Sequence, residues 1–115
     1  MPVTAIVGSR TFDDKHKFML ELADEFGPRH LLITGDATGT DSMVWNIFSD
    51  TQRVVVFKAE WGKHGKAAGP IRNTEIVRYA DRMIAFWDGQ SHGTHDAIQK
   101  AQKKGIPLKI VRVDV

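Results

Sequence analysis

The chain reads as an α/β protein built on a five-stranded parallel sheet of order 3-2-1-4-5, with helices on both faces. Two observations carry this. Short runs that are almost wholly apolar alternate along the sequence with stretches of helical spacing. Strands of that composition fit a parallel sheet covered on both faces. Right-handed crossovers then give an open, doubly wound sheet with its switch point between the first and fourth strands.

The elements follow in order. "VTAIVG" (3–8) is an apolar run ending in glycine, the pattern of a buried strand. Phe18, Met19, Leu22, Ala23 and Phe26 recur at helical spacing, and Gly27-Pro28 closes that helix. "HLLITG" (30–35) is the second strand, and Met43, Val44, Ile47 and Phe48 mark the second helix. "RVVVFKA" (53–59) is the third strand, followed by a polar, glycine-rich loop from Glu60 to Pro70. Ile76, Val77 and Ala80 line a third helix, and "RMIAFW" (82–87) is the fourth strand. Ala97, Ile98 and Ala101 line a fourth helix closed by Gly105 and Pro107, and "LKIVRV" (108–113) is the fifth strand. No repeat or interdomain linker interrupts the pattern, so residues 1–115 are expected to form one domain.

The totals exclude several classes. With no cysteine there is neither a disulfide framework nor a thiolate metal site, which suits a reducing cytoplasm. The apolar runs are too short to span a bilayer, and the first residues lack the pattern of a secretory signal. A net charge of +2 spreads no strong field over the whole surface, so the placement of basic residues must carry any argument about partners.

In doubly wound sheets ligands bind beyond the carboxyl ends of the strands. That rule selects four turns. After the first strand come Gly8, Ser9, Arg10 and Thr11; after the second, "TGDATGTD" (34–41) leads into a helix N-terminus, where free N–H groups favour anions. After the third strand, "AEWGKHGKAAGPIRN" (59–73) holds Lys63, His64, Lys66, Arg72 and Asn73. After the fourth, "DGQSHGTHD" (88–96) is again glycine-rich and again opens a helix. The turns on the opposite edge, "FGPRH", "SDTQR" and "KKGIP", are ordinary connectors. The asymmetry points to one site for a phosphate-bearing ligand; separately, no metal and no cofactor are expected.

Each element also has a plainer reading. Glycine-rich turns are common simply as turns. Neither a GxGxxG nor a GxxxxGK[ST] pattern is present. Asp41 fits a helix cap as well as a ligand. His92 and His95 lack an evident third metal ligand. Trp61 and Trp87 fit base stacking or rim packing. Lys100, Lys103 and Lys104, like Glu21, Asp24 and Glu25, read as solvated faces. Arg72 gains most from its neighbours: it follows a Gly-Pro, starts a helix and carries the guanidinium suited to bidentate phosphate contact. As a cleft charge it is expected to bind ligand while contributing little to folding.

The four motifs "VGSRTF", "TGDATGTD", "AEWGKHGKAAGPIRN" and "FWDGQSHGTHDAI" together resemble the YspA, cpYpsA-related SLOG family, and the resemblance spans nearly the whole chain. The SLOG superfamily includes the Lonely Guy phosphoribohydrolases and, more distantly, the DNA-processing protein DprA, and it occurs in bacteria and their phages. The resemblance implies a Rossmann-like three-layer α/β/α fold and a nucleotide or nucleotide-derived ligand. It assigns ligand-binding roles to Gly8, Ser9 and Arg10, to Gly35, Gly39 and Asp41, to Arg72 and Asn73, and to Gly93 and Thr94, with Lys66 added from the basic loop. A homodimer is implied by analogy alone.

Two departures from the family pattern matter. Asp36 stands where a small residue is usual, and a carboxylate there would repel phosphate, so this turn is expected to face a sugar hydroxyl. Aligning Gly93-Thr94 on the Lonely Guy PGGxGTxxE motif puts Ala97 where those enzymes carry their catalytic glutamate. The expected function is therefore a small-molecule binding module for a nucleotide. The alternatives are a nucleotide N-glycosidase, with Asp88 or Asp96 supplying the carboxylate, and single-stranded DNA binding like that of DprA.

Overall fold

The structure, a computed structural model, describes residues 2–114. Its elements are β1 (Val3–Gly8), α1 (Lys15–Leu22), β2 (Leu31–Gly35), α2 (Thr40–Phe48), β3 (Arg53–Phe57), α3 (Trp61–His64), a 3₁₀ turn (Gly65–Ala67), α4 (Ala68–Tyr79), β4 (Arg82–Trp87), α5 (His92–Lys104) and β5 (Leu108–Arg112). The strands form one all-parallel sheet in the order β3-β2-β1-β4-β5. This is the Rossmann-like α/β arrangement expected from periodicity, with β1 and β4 adjacent at the centre.

The period-two alternation of side chains sorts each central strand between two cores. Ile6, Leu32, Ile84 and Phe86 face α1 and α2, packing with Phe12, Phe18, Leu22 and Val44. Ala5, Val7, Ile33, Met83 and Ala85 face α4 and α5, packing with Ile76, Val77, Ala97, Ile98 and Ala101. The first core is filled by aromatic rings: Phe12 stacks on Phe86 at 5.4 Å and Phe18 lies 5.1 Å from it. The second pairs alanines of the sheet with alanines of α5, a small-residue contact suited to close helix–sheet approach.

The edges of the sheet are less covered than an all-apolar pattern suggests. Val55 on β3 is 45% exposed and Ile110 on β5 is 44% exposed. Burial on both faces therefore holds for β1, β2 and β4, which lie inside the sheet, and not for its two borders.

Two further segments depart from expectation. The first helix starts on an Asp14 cap, whose carboxylate accepts from Lys17 N at 3.0 Å, but it ends at Leu22. Asp24 then takes a left-handed conformation, φ 63°. The chain turns there, so Phe26 packs edge-on against Phe48 from outside a helix, 5.3 Å between ring centroids. The second segment is 60–70, expected as a loop. It is mostly helical, because Pro70 falls in the first turn of α4, where a missing N–H costs no intrahelical bond. As a result Arg72 lies more than a turn inside α4 and is not its cap.

The lysines of α5 also have structural work. Lys104 Nζ donates to the carbonyls of Val77, Arg78 and Ala80 at 2.9–3.0 Å, closing the end of α4. Lys100 Nζ donates to Pro70 O and to Asp96 Oδ2, both at 2.7 Å. No helix among the described residues is long and apolar enough to cross a membrane.

Candidate functional site

The carboxyl ends of β1 and β4 open into a cleft of about 340 Å³, large enough for a small molecule. Gly8 and Arg10 come from the β1 turn, Ala37 and Asp41 from the start of α2, and Arg72 and Asn73 from α4. Asp88 closes the β4 side, and His92, Gly93, Thr94 and Ala97 supply the N-terminal turns of α5.

Of the residues expected to bind ligand, Gly8, Arg10, Asp41, Arg72, Asn73, Gly93 and Thr94 line this cleft. Ser9, Gly35, Gly39 and Lys66 do not, and each has a physical reason. Ser9 is fully buried. Its Oγ accepts from Asp88 N and meets Ser91 Oγ, each at 3.1 Å, so it ties the β1 turn to the β4 turn. Gly39 adopts φ 71° and lies where any Cβ would strike the Ser9 and Arg10 carbonyls. It lets the N-terminus of α2 press on that turn, where Thr40 Oγ1 donates to Ser9 O at 3.1 Å. Gly35 is a floor: a Cβ there would meet Arg72 Nη1 at 2.6 Å and Asp41 Oδ2 at 2.7 Å. Lys66 sits exposed on the 3₁₀ turn, away from the cleft.

Arg72 is held from two sides. Nη1 donates to Asp36 Oδ1 at 2.7 Å and Nε donates to Asn73 Oδ1 at 3.1 Å. Its side chain is only 10% exposed. The expectation that Arg72 contributes little to folding is therefore corrected: a mostly buried guanidinium paired to a carboxylate is costly to remove. The pairing also gives Asp36 a role, since it balances Arg72, while its Oδ2 accepts from Ala59 N at 3.3 Å. Asn73 Nδ2 passes the network on to Gly93 O and Asp96 Oδ2, both at 3.1 Å. These bonds fix the side chain of α4 that faces the cleft against the first turn of α5.

The two carboxylates named as possible catalysts are engaged. Asp96 is shared between Asn73 and Lys100 and is not part of the cleft lining. Asp88 lines the cleft, but Oδ1 accepts from Ser91 N at 2.7 Å and Gln90 N at 2.9 Å, and Oδ2 accepts from Ser91 Oγ at 3.0 Å. Those N–H groups, Ser91 first, hold its carboxyl below the ordinary range. Its work is to shape the turn before α5.

Asp41 is the contrasting group. Burial pushes its carboxyl up to about 6, against the opposing pull of the Arg72 guanidinium and the Ala37 N–H. Oδ2 accepts from Ala37 N at 3.2 Å, so Asp41 closes the loop ahead of α2 and is not an N-cap. The Thr34 hydroxyl sits close to this carboxylate without meeting it in hydrogen-bond geometry, and both Thr34 Oγ1 and Asp41 Oδ1 lack a partner.

The start of α5 completes the site. No side chain caps this 13-residue helix, because the Ser91 hydroxyl is turned to Asp88 and Ser9. Its first turn carries no acidic residue. The first N–H groups of a helix have no intrahelical acceptor, and here they belong to residues that line the cleft. Nearby, Trp87 stacks on His95 at 5.3 Å and donates Nε1 to Ser91 O at 3.1 Å, which makes it rim packing. His92 lines the cleft while His95 is held on that ring.

Sequence reasoning missed Ser91. A signal existed: an aspartate three residues ahead of a serine at a helix start is the pattern of a side chain folded back on turn N–H groups.

Fold and site together define a Rossmann-like α/β protein with a cleft of mixed polar and apolar lining at the switch point of its sheet. No protein-family model matches the chain. It is 38% identical over 113 residues to the Gene 61 protein of Mycobacterium phage D29, covering 90% of each chain. The chain belongs to the family of that phage protein.

Proposed function

We propose that the protein is a small-molecule binding module that takes a nucleotide or nucleotide derivative, with a phosphate at the uncapped N-terminus of α5. The observation that carries this is the convergence of that helix end with Arg10 and Arg72 on one cleft at the switch point. Helix N–H groups and guanidinium groups are complementary to phosphate oxygens. The resemblance to SLOG proteins supports the same reading.

Binding is favoured over hydrolysis by the cleft wall. Ala97, 1% exposed, presents a methyl group where a glycosidase would need a carboxylate beside an oxocarbenium-like centre. A nucleic-acid role gains little from α5, since Lys100 and Lys104 are spent on α4.

Thermal-shift measurements with inorganic pyrophosphate, ribose 5-phosphate and ribonucleoside mono- and diphosphates test the proposal. A ligand at 100 times its dissociation constant stabilises by about 2.7 kcal/mol. The expected result is stabilisation by phosphate-bearing compounds that Arg10→Ala weakens. No response to any of them would contradict it.

A further inference from the structure

A second groove leaves the cleft. Arg10, Ala37 and Arg72 line both, and the groove continues past Asp36 and Thr38 to Trp61. Trp61 opens α3 and is 49% exposed, a large apolar surface to leave in water. Its ring is not loose: the Cη2 edge lies 3.4 Å from where a Cβ of Gly69 would stand, so the backbone of α4 backs it. An exposed, supported indole offers a flat face on which a nucleobase can stack.

The chemistry between the two ends is equally specific. Asp36 is 30% exposed in this groove. A carboxylate offers about four lone-pair positions. Arg72 Nη1 and Ala59 N use one on each oxygen, which leaves acceptor capacity facing outward. At those oxygens a hydrogen-bond donor is favoured over a phosphate oxygen, although Arg10 and Arg72 line the same groove. The vicinal hydroxyls of a ribose are such donors, and acidic side chains hold ribose hydroxyls in other doubly wound folds.

We propose that this groove is a nucleoside subsite, with Trp61 stacking on the base and Asp36 accepting from the ribose hydroxyls, so that the ligand is a ribonucleotide and not a deoxynucleotide or a bare phosphate. The proposal rests on the phosphate reading of the cleft. Arg72 is the joint between the halves: it balances Asp36 on the sugar side and faces the cleft on the phosphate side.

Trp45 provides a control. It is equally exposed, at 49%, but lies on α2 in a neighbouring depression that shares Asp36 and Ala37 with the groove and that Arg10 and Arg72 do not line.

The test is calorimetric titration at fixed salt with AMP, GMP, CMP and UMP, their 2′-deoxy counterparts, and ribose 5-phosphate. At least one ribonucleotide should bind about tenfold more tightly than ribose 5-phosphate. Its 2′-deoxy counterpart should bind about fivefold more weakly, and Asp36→Asn should erase that difference. Trp61→Ala should remove the advantage of the base and leave ribose 5-phosphate unchanged, while Trp61→Phe retains most of it and Trp45→Phe changes nothing. A purely structural Trp61 would instead alter both ligands together. If every nucleotide binds no better than ribose 5-phosphate, the subsite is wrong and the phosphate site stands. If ribose 5-phosphate and the nucleotides all fail to bind, both readings fall.

Discussion

The two edges of the sheet handle buried and half-buried carboxylates in opposite ways. At the amino edge, Glu25 meets Lys109 Nζ at 2.7 Å and Arg82 Nη2 at 2.8 Å. Lys109 also reaches Glu21 at 3.5 Å. Sequence reading expected these acids to be a solvated face; the turn at Asp24 brings Glu25 back onto β4 and β5. Lys109 first, then Arg82, hold the Glu25 carboxyl below its usual range, and Glu25 raises Lys109 in return. At the carboxyl edge, Asp41 is buried with an unpartnered oxygen and is pushed the other way. One edge has its charges matched and wet. The other keeps a poorly matched acid beside a cleft. An arrangement that spends stability in this way is expected where a ligand is bound.

The largest effect expected to sharpen this contrast comes from the two arginines. Arg72→Ala strands Asp36 and removes the charge that opposes the burial of Asp41. With Arg72 10% and Asp36 30% exposed, it should cost about 2 kcal/mol in urea unfolding, between a surface pair and a fully buried one. Arg82→Ala, at a partly exposed pair, should cost about 1 kcal/mol or less. Equal losses would mean that the edges do not differ as described.

Next is Asp41→Asn. The folded-state pKa of Asp41, about 6, lies above its unfolded value near 3.8. Between those values the folded protein holds the extra proton, so stability falls as pH rises from about 4 to about 6 and is then flat. The asparagine keeps an acceptor for Ala37 N and carries no charge. It should therefore be more stable than wild type at pH 8, by on the order of 2 kcal/mol, and equal to it near pH 4. Unfolding curves at the two pH values check this; a variant less stable at pH 8 would show that the charge at Asp41 is stabilising.

Glu25→Gln should behave oppositely and weakly. A depressed carboxyl contributes stability above its unfolded pKa, near 4.5, and loses it as pH falls through the folded value. The loss should be about 0.5–1 kcal/mol at pH 7, the range for partly exposed pairs, and should vanish once acid protonates the carboxyl in both states. A loss that persists in acid would assign Glu25 a packing role.

Ala97→Glu probes the cleft alone. Wild-type release of base from AMP should stay near the uncatalysed background, with some turnover appearing in the variant. Clear turnover by the wild type, lost in Asp88→Asn, would revive the glycosidase reading.

The sheet order was legible because apolar strand runs and helical spacings alternate without exception from Val3 to Val113. The position of the cleft followed from the rule for parallel sheets. What periodicity could not carry was direction. Ser9, Gly35 and Gly39 lie in the right turns yet serve the scaffold, because a turn residue can face either its ligand or its neighbouring turn. The 60–70 segment was misjudged because glycines and a proline signal loops, while Pro70 happens to fall in a helix's first turn. The pairing of Asp36 with Arg72 joins residues 36 positions apart, beyond the reach of any local pattern.

The central claim is that the carboxyl-edge cleft binds phosphate through the start of α5. Amide chemical-shift mapping during titration with ribose 5-phosphate tests it most directly. The account predicts saturable shifts at His92, Gly93 and Thr94 and at Arg10, with Glu25, Arg82 and Lys109 unmoved. Shifts centred on the amino edge, or none at the start of α5 at saturating concentration, would contradict it.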